Sequence, residues 1–231
     1  MAKKSLLLSL ICIAIVLIVN LYTWLHLPDM DKYPIHWNAQ GEADGFASRN
    51  NVFWALMAIP FSMIFMVLLL YFIPKIEPLR ANLEKSYKAY NVVCVIIIIL
   101  FTMVSVALCI PYHNLTNEAG ATYDVNKYVI SIIAIGSSVS FILIGNVMGK
   151  VRQNFMFGIR TPWTLSSELS WEKTHRVGGR LFVAVGAISL LLTFINPVIS
   201  VVSFGVGTLA LVLFVFVYSY KTWKLDPNRR S

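Results

Sequence analysis

The 231-residue chain has little charge: 13% of its residues are charged and 58% are apolar, where a soluble domain carries about a quarter charged. Its mean hydropathy is +0.71. Six runs, at roughly 5–25, 52–73, 89–111, 128–149, 177–195 and 198–220, are each long enough to cross about 30 Å of hydrocarbon. Apart from Arg180, near the start of the fifth, their interiors lack Lys, Arg, Asp and Glu. No carboxylate, Lys or His stands at mid-membrane depth, and the first three runs show no similarity to the last three. Ion-coupled carriers commonly have the first feature and inverted-repeat carriers the second, so both absences weigh against a secondary transporter.

Cysteine is scarce as well. Cys12, Cys94 and Cys109 all fall inside apolar runs without C-x-x-C spacing and read as small buried hydrophobes. The chain has no phosphate-binding glycine loop, no dinucleotide fingerprint and no cofactor box. His175 has no Ser or Cys nucleophile in a recognisable motif around it. His26, His36 and His113 follow no zinc-ligand spacing, and zinc needs three or four converging ligands. No enzyme, cofactor or metal site is expected.

What charge there is sits unevenly. With six spans, both termini share a face with segments 74–88 and 150–180, and that face holds sixteen of the nineteen basic residues. Only Lys32, Arg49 and Lys127 lie opposite. Because Lys and Arg resist translocation, the basic face and both termini are expected in the cytoplasm. The net +8 is then a topology signal plus attraction to anionic lipid, with no direct nucleic-acid binding implied. Lys3 and Lys4 precede an apolar run of about twenty residues that ends in Tyr22-Thr23-Trp24-Leu25-His26. That ending is no small-x-small cleavage site, so the run reads as an uncleaved first helix. The expected fold is an all-α integral membrane protein of six transmembrane helices with a small ordered external loop after the first. It divides into 1–51 (first helix and external loop), 52–127 (helices two and three) and 128–231 (helices four to six with the loop 150–180).

Within the spans, Asn20, Asn91 and Asn146 are expected to hydrogen-bond between helices. Gly136, Gly145, Gly149, Gly186, Gly205 and Gly207, with the serines at 137, 138 and 140, mark close-packing faces. Asn196-Pro197 reads as a tight turn between the last two helices.

Two loops have chemical content. The external one contains Tyr33-Pro34-Ile35-His36-Trp37, an extended segment, followed by turn signals at Asn38–Gly41 and Asp44-Gly45, which together read as a small hairpin. It is acidic, so a cationic or apolar peptide would settle there; equally, Trp24, Tyr33, Trp37 and Phe46 can serve as interfacial anchors. The inner one runs through Arg152, Asn154 and Gly158-Ile159-Arg160-Thr161-Pro162-Trp163 to a short helix through Trp171, capped by Thr164 or Ser166 and feeding the fifth span. Its arginines suit lipid phosphates and its tryptophans the interface. That account leaves the Thr-Pro-Trp turn and the Trp171-x-x-x-His175 spacing unexplained.

Those loops carry a resemblance. Gly145-Asn146, Lys150, Arg152, Asn154, Gly158-Ile159-Arg160-Thr161-Pro162-Trp163-Thr164, Trp171, Thr174-His175-Arg176 and Gly178-Gly179 resemble the signature of the SdpI family, bacterial membrane immunity proteins against the sporulation-delaying-protein toxin. Leu27-Pro28, Pro34-Ile35-His36-Trp37-Asn38, Gly41, Asp44-Gly45 and Ser48-Arg49 resemble the uncharacterised N-terminal domain that often precedes it. The resemblance implies a multi-pass protein of the bacterial cell membrane that protects its cell from a secreted membrane-active peptide. It also implies capture of a small helix-turn-helix autorepressor at the membrane. A peptide toxin is then expected at His36, Trp37, Asn38, Gly41, Asp44 and Arg49. An inner partner, or anionic lipid, is expected at Asn146, Arg152, Asn154, Arg160, Thr161, Pro162, Trp163, Trp171, His175 and Arg176. The alternative function is a small-solute or peptide transporter, or a membrane-stress protein without toxin specificity.

Overall fold

In a computed structural model, which describes residues 1–38, 43–113, 115 and 125–229, the backbone is almost all helix. The elements are α1 (Lys3–Leu25), β1 (Tyr33–Trp37), β2 (Ala43–Ala47), α2 (Arg49–Ile76), α3 (Arg80–Lys85), α4 (Tyr87–His113), α5 (Val125–Met148), α6 (Pro162–Ser166), α7 (Glu168–Thr193) and α8 (Pro197–Lys224). Six of them, α1, α2, α4, α5, α7 and α8, are long and apolar enough to cross a membrane. A helix closes all its backbone hydrogen bonds within itself, which hydrocarbon demands. Between 17% and 39% of the most apolar stretch of each span is buried inside the protein. Side chains such as Phe65, Leu209 and Phe194 are left exposed. In water so much open apolar surface would drive association; in a bilayer the acyl chains cover it. The protein is a multi-pass membrane protein.

The spans pack as two three-helix halves. In the first half, α1 lies against α2 and α4; in the second, α7 lies against α5 and α8; α4 and α5 join the halves. Asn20 holds the first half together. Its Nδ2 donates to the Leu56 carbonyl on α2 at 2.6 Å, and its Oδ1 accepts from Ser105 and Cys109 on α4, each at 3.2 Å. An amide buried in an apolar bundle needs such partners, and one side chain thereby fixes three helices. The second half uses close backbone contact instead. A Cβ on Gly145 of α5 would stand 2.5 Å from the Gly179 carbonyl of α7, and one on Gly179 would stand 2.7 Å from the Gly145 carbonyl. Only glycine at both positions permits this approach.

Some expected packing positions fall elsewhere. A Cβ on Gly205 would meet nothing within 4 Å and one on Gly149 only the Arg176 backbone at 3.9 Å, so neither is a tight contact. Asn146 points outward, and no hydrogen bond of its side chain is found among the described residues. It lies one residue beyond the buried Gly145, and a step of about 100° around a 3.6-residue turn takes it off the packed face.

The chain ends and the segments 77–86 and 149–161 share one face, the motif face. The strands β1 and β2 and the Asn196 turn occupy the other, the hairpin face. β1 and β2 pair antiparallel, Tyr33 opposite Ala47 and Trp37 opposite Ala43, with irregularities around His36. The expected hairpin is therefore present, but Asp44-Gly45, read as a second turn, pairs within β2, and residues 39–41 of the first turn signal lie outside the described residues.

Candidate functional site

On the motif face the chain between α5 and α7 has almost no regular structure, yet its backbone polar groups are bound by specific side chains. Asn154 is fully buried. Its Oδ1 accepts from the amides of Met156 at 3.0 Å and Phe157 at 2.6 Å, and its Nδ2 donates to the Arg152 carbonyl at 2.8 Å. A short amide side chain that bonds its own backbone two or three residues on is the standard way to fix such a turn.

Three residues of the earlier segment 77–86 grip this loop. The buried Glu77 carboxylate accepts from the Phe155 amide at 3.0 and 3.1 Å, and from the Leu79 amide at 2.9 Å. Asn82 donates to the Gln153 carbonyl at 3.0 Å, and the Ser86 hydroxyl accepts from the Arg152 amide at 2.7 Å. The two halves are thus stitched together at 152, 153 and 155.

The loop's floor is an aromatic pair on α7. The Trp171 indole, fully buried, donates to the Val151 carbonyl at 2.8 Å. The His175 ring stacks on it with centroids 4.0 Å apart. His175 Nδ1 lies 2.8 Å from the Trp171 carbonyl, and Nε2 accepts from the Ile159 amide at 2.9 Å. A nitrogen that accepts a hydrogen bond holds no proton, so this geometry requires the neutral imidazole with its hydrogen on Nδ1. Gly158 makes the approach possible. Its φ of +117° disfavours any other residue, and a Cβ there would collide with His175 Nε2.

Beyond the turn, Thr161 caps α6 through a reciprocal bond with Thr164, with Pro162 at the start of the helix. Ser167 then caps α7, accepting from the Ser170 amide at 2.9 Å. The caps are therefore Thr161 and Ser167, where Thr164 or Ser166 was expected, and α7 runs unbroken from Glu168 into the fifth span. A seam of buried hydroxyls joins these caps to the end of α8. Thr161 donates to Ser219 Oγ at 3.0 Å, Ser170 to the Ser219 carbonyl at 2.8 Å, and Ser167 to Asp226 at 2.5 Å. The Ser167 hydroxyl, followed by the Asn228 amide, holds the Asp226 carboxyl below its ordinary range.

The hairpin face is built more lightly. Tyr33 is buried and its hydroxyl donates to the Pro28 carbonyl at 2.6 Å. His36 and Asp44 pair across the strands at 2.5 Å, and both side chains are largely open, at 69% and 45% exposure. Exposed pairs of this kind contribute little to stability. Ile35 and Phe46 are exposed beside them.

Comparisons with known proteins match two separate parts of the chain. Residues 150–220 match the SdpI/YfhL protein family, and residues 10–64 match a domain of unknown function, DUF1648. Across 228 residues the chain is 26% identical to the protein named Immunity protein SdpI of Bacillus subtilis (strain 168), covering 98% of this chain and 100% of that one. The chain is thus similar to the SdpI family over its last third and to a known immunity protein along its length. No solved structure matches it.

The geometry sorts the expected site residues into two groups. Asn154, Thr161, Trp171 and His175, expected to face a partner, are buried and shape the loop from within. Their polar atoms are taken by backbone groups and, for Thr161, also by the Ser219 hydroxyl, which a partner cannot replace without unfolding the turn. Exposed are Pro162, Arg176 and Arg160, whose Nη1 donates to the Phe155 carbonyl at 2.7 Å, with Trp163 half-buried against Phe216 and Tyr220 of α8. Arg152 is open but paired with Glu172 at 2.7 Å. On the hairpin face Arg49 is also a structural residue. Its guanidinium donates to the carbonyls of Trp24 at 3.1 Å and of Leu25 and Leu27 at 3.4 Å each, closing the C-terminal end of α1. His36 and Asp44 remain available, Trp37 ends β1, Asn38 follows it half-buried, and Gly41 lies outside the described residues. Sequence reasoning missed Glu77, Asn82 and Ser86. A buried carboxylate whose partner amide is 78 residues away leaves no local pattern to read.

Proposed function

We propose that this protein protects the cell whose membrane holds it against a secreted, membrane-active peptide toxin. The end-to-end match to Immunity protein SdpI carries this reading, because it spans both faces and all six long helices. On this reading the motif face lies in the cytoplasm, in keeping with sixteen of nineteen basic residues on that side. The toxin then meets the hairpin face. There Asp29, Asp31 and Asp44 offer negative charge, while Ile35 and Phe46 offer exposed apolar area.

The motif face is the place for an inner partner, a small helix-turn-helix autorepressor held at the membrane. Arg160 and Arg176 present forked guanidinium groups suited to carboxylates, and Trp163 beside Pro162 supplies rigid apolar surface.

A challenge assay tests the reading. The chain, expressed from an independent promoter in a bacterium sensitive to the Bacillus toxin, should restore growth in its presence. Failure to protect at a membrane abundance matching that of the Bacillus protein would overturn the proposal. For the inner partner, the Arg160→Lys, Trp163→Ala double variant should abolish toxin-induced expression while resistance survives at least in part. If that surface meets only lipid, Arg160→Lys alone keeps its charge and leaves both readouts intact.

A further inference from the structure

A cavity of about 460 Å³ opens on the motif face where α2 ends, between its last turns and the segment leading through α3 into α4. It belongs to neither the loop 149–161 nor the hairpin. Tyr71, Pro74, Lys75, Arg80, Glu84 and Tyr87 line it. Lys75 is folded back over the Tyr71 ring, its Nζ 4.1 Å from the centroid, which holds the ammonium at the cavity rim. Arg80 donates to Glu84 at 3.2 Å through Nε alone, so both its terminal nitrogens are free of partners among the described residues. Lys75, Arg80 and the amino group of Met1, which also lines the cavity, therefore face one carboxylate, and the carboxylate engages only the inner edge of the guanidinium. On the same helix, Phe65, Leu68, Phe72 and Ile76 form an exposed apolar stripe at helical spacing. Tyr71 lies near the end of α2 and Tyr87 begins α4, and aromatic side chains at span ends favour the headgroup region.

We propose that this cavity binds the phosphodiester headgroup of an anionic phospholipid, with Arg80 and Lys75 on the phosphate and the acyl chains along the Phe65–Ile76 stripe. The free edge of Arg80 offers two parallel donors, the geometry that phosphate oxygens accept bidentately. Lys75 adds a point charge from the opposite wall. A headgroup without net charge gains less here, because its own cation is repelled by the same two side chains. The inference rests on the membrane location of the chain and is independent of the immunity reading.

The test is native mass spectrometry of the full chain, released from detergent after equilibration with phosphatidylglycerol or phosphatidylcholine of identical acyl chains. Wild-type protein should retain phosphatidylglycerol in preference. Each basic side chain near a charged bilayer is worth about 1 kcal/mol, so Lys75→Gln with Arg80→Gln should weaken retention about 30-fold, or about 2 kcal/mol. Lys75→Arg with Arg80→Lys should keep the greater part of it. Removing two charges from the other half, Arg180→Gln with Lys221→Gln, should change little. Equal retention of the two lipids, or undiminished retention in the Gln double variant, overturns the proposal. Displacement of the lipid by millimolar inorganic phosphate would also overturn it, since the site would then take free phosphate rather than a headgroup.

Discussion

The motif loop and the external hairpin were equally rich in polar and aromatic residues as sequence, yet the fold uses them in opposite ways. At the loop, Asn154 from within it, Trp171 and His175 from α7, and Glu77 and Ser86 from the segment 77–86 all bond its backbone groups. In the hairpin, His36 and Asp44 point outward and bond mainly each other. A loop crossing between two tightly packed helices cannot leave its amides and carbonyls unpaired, so its polar residues are consumed by the chain itself. The hairpin, anchored to the bundle through Tyr33, satisfies its backbone by strand pairing and keeps its outward side chains for other uses. Density of polar residues therefore marks where structure is hard to make, as well as where contact happens.

The largest effect should come from Gly158. Replacing it with Ala forces a Cβ into His175 at a backbone angle that disfavours any side chain. Overpacking alone costs about 1–3 kcal/mol, with the strained backbone added. The expected outcome is a loss of folded protein, read as a drop in Tm in detergent and as rapid proteolysis between 150 and 162. If Gly158→Ala keeps wild-type Tm, the loop is not the rigid element described.

His175→Phe tests the same wall with less disruption. The ring and its stacking survive, but the Ile159 amide loses its acceptor. An orphaned buried donor costs about 1–3 kcal/mol. Tm should fall while membrane insertion is unchanged, and an unaltered Tm would place His175 outside the loop's support.

The hairpin should behave in reverse. His36→Ala with Asp44→Ala removes an exposed pair that contributes at most about 1 kcal/mol, so Tm should shift little. Protection against toxin should nevertheless fall, by roughly tenfold if one anchor of a peptide contact is lost. Full protection by this variant would leave the hairpin only an interfacial role.

These contrasts also mark what a sequence can reveal. The six spans were legible because a long uncharged apolar run admits one solution in hydrocarbon. The hairpin was legible from the extended segment before Asn38, whereas Asp44-Gly45, which reads as a turn, lies inside β2. The SdpI motif was legible as a pattern, but the burial of its members was not, since Asn154 and His175 read as polar loop residues whichever way they point. The Thr161 cap left a usable clue, a threonine directly before a proline that opens a helix. Arg49 gave none: its partners Trp24 and Leu25 lie more than twenty residues earlier, and only the return of the chain through the hairpin brings them together.

The smallest effect concerns the seam at the end of α8, where Ser167 donates to Asp226. The folded-state pKa of Asp226 lies below its ordinary 3.8, with the Ser167 hydrogen bond as the leading cause. A carboxyl depressed on folding contributes stability that is complete above the unfolded value and is lost as pH falls through the folded one. Wild type should therefore exceed Asp226→Asn in Tm by a constant margin between pH 5 and 8, on an acidity scale where ordinary carboxyls titrate near about 4. Below that range the margin should close, because protonation turns Asp226 into a neutral group like its replacement. The seam joins only the caps of α6 and α7 to α8, so the hairpin-face assays should not register the substitution at any pH. A margin that instead widened on acidification would mean that Asp226 is protonated more readily in the folded protein than in the unfolded chain, and that Ser167 does not stabilise its charge.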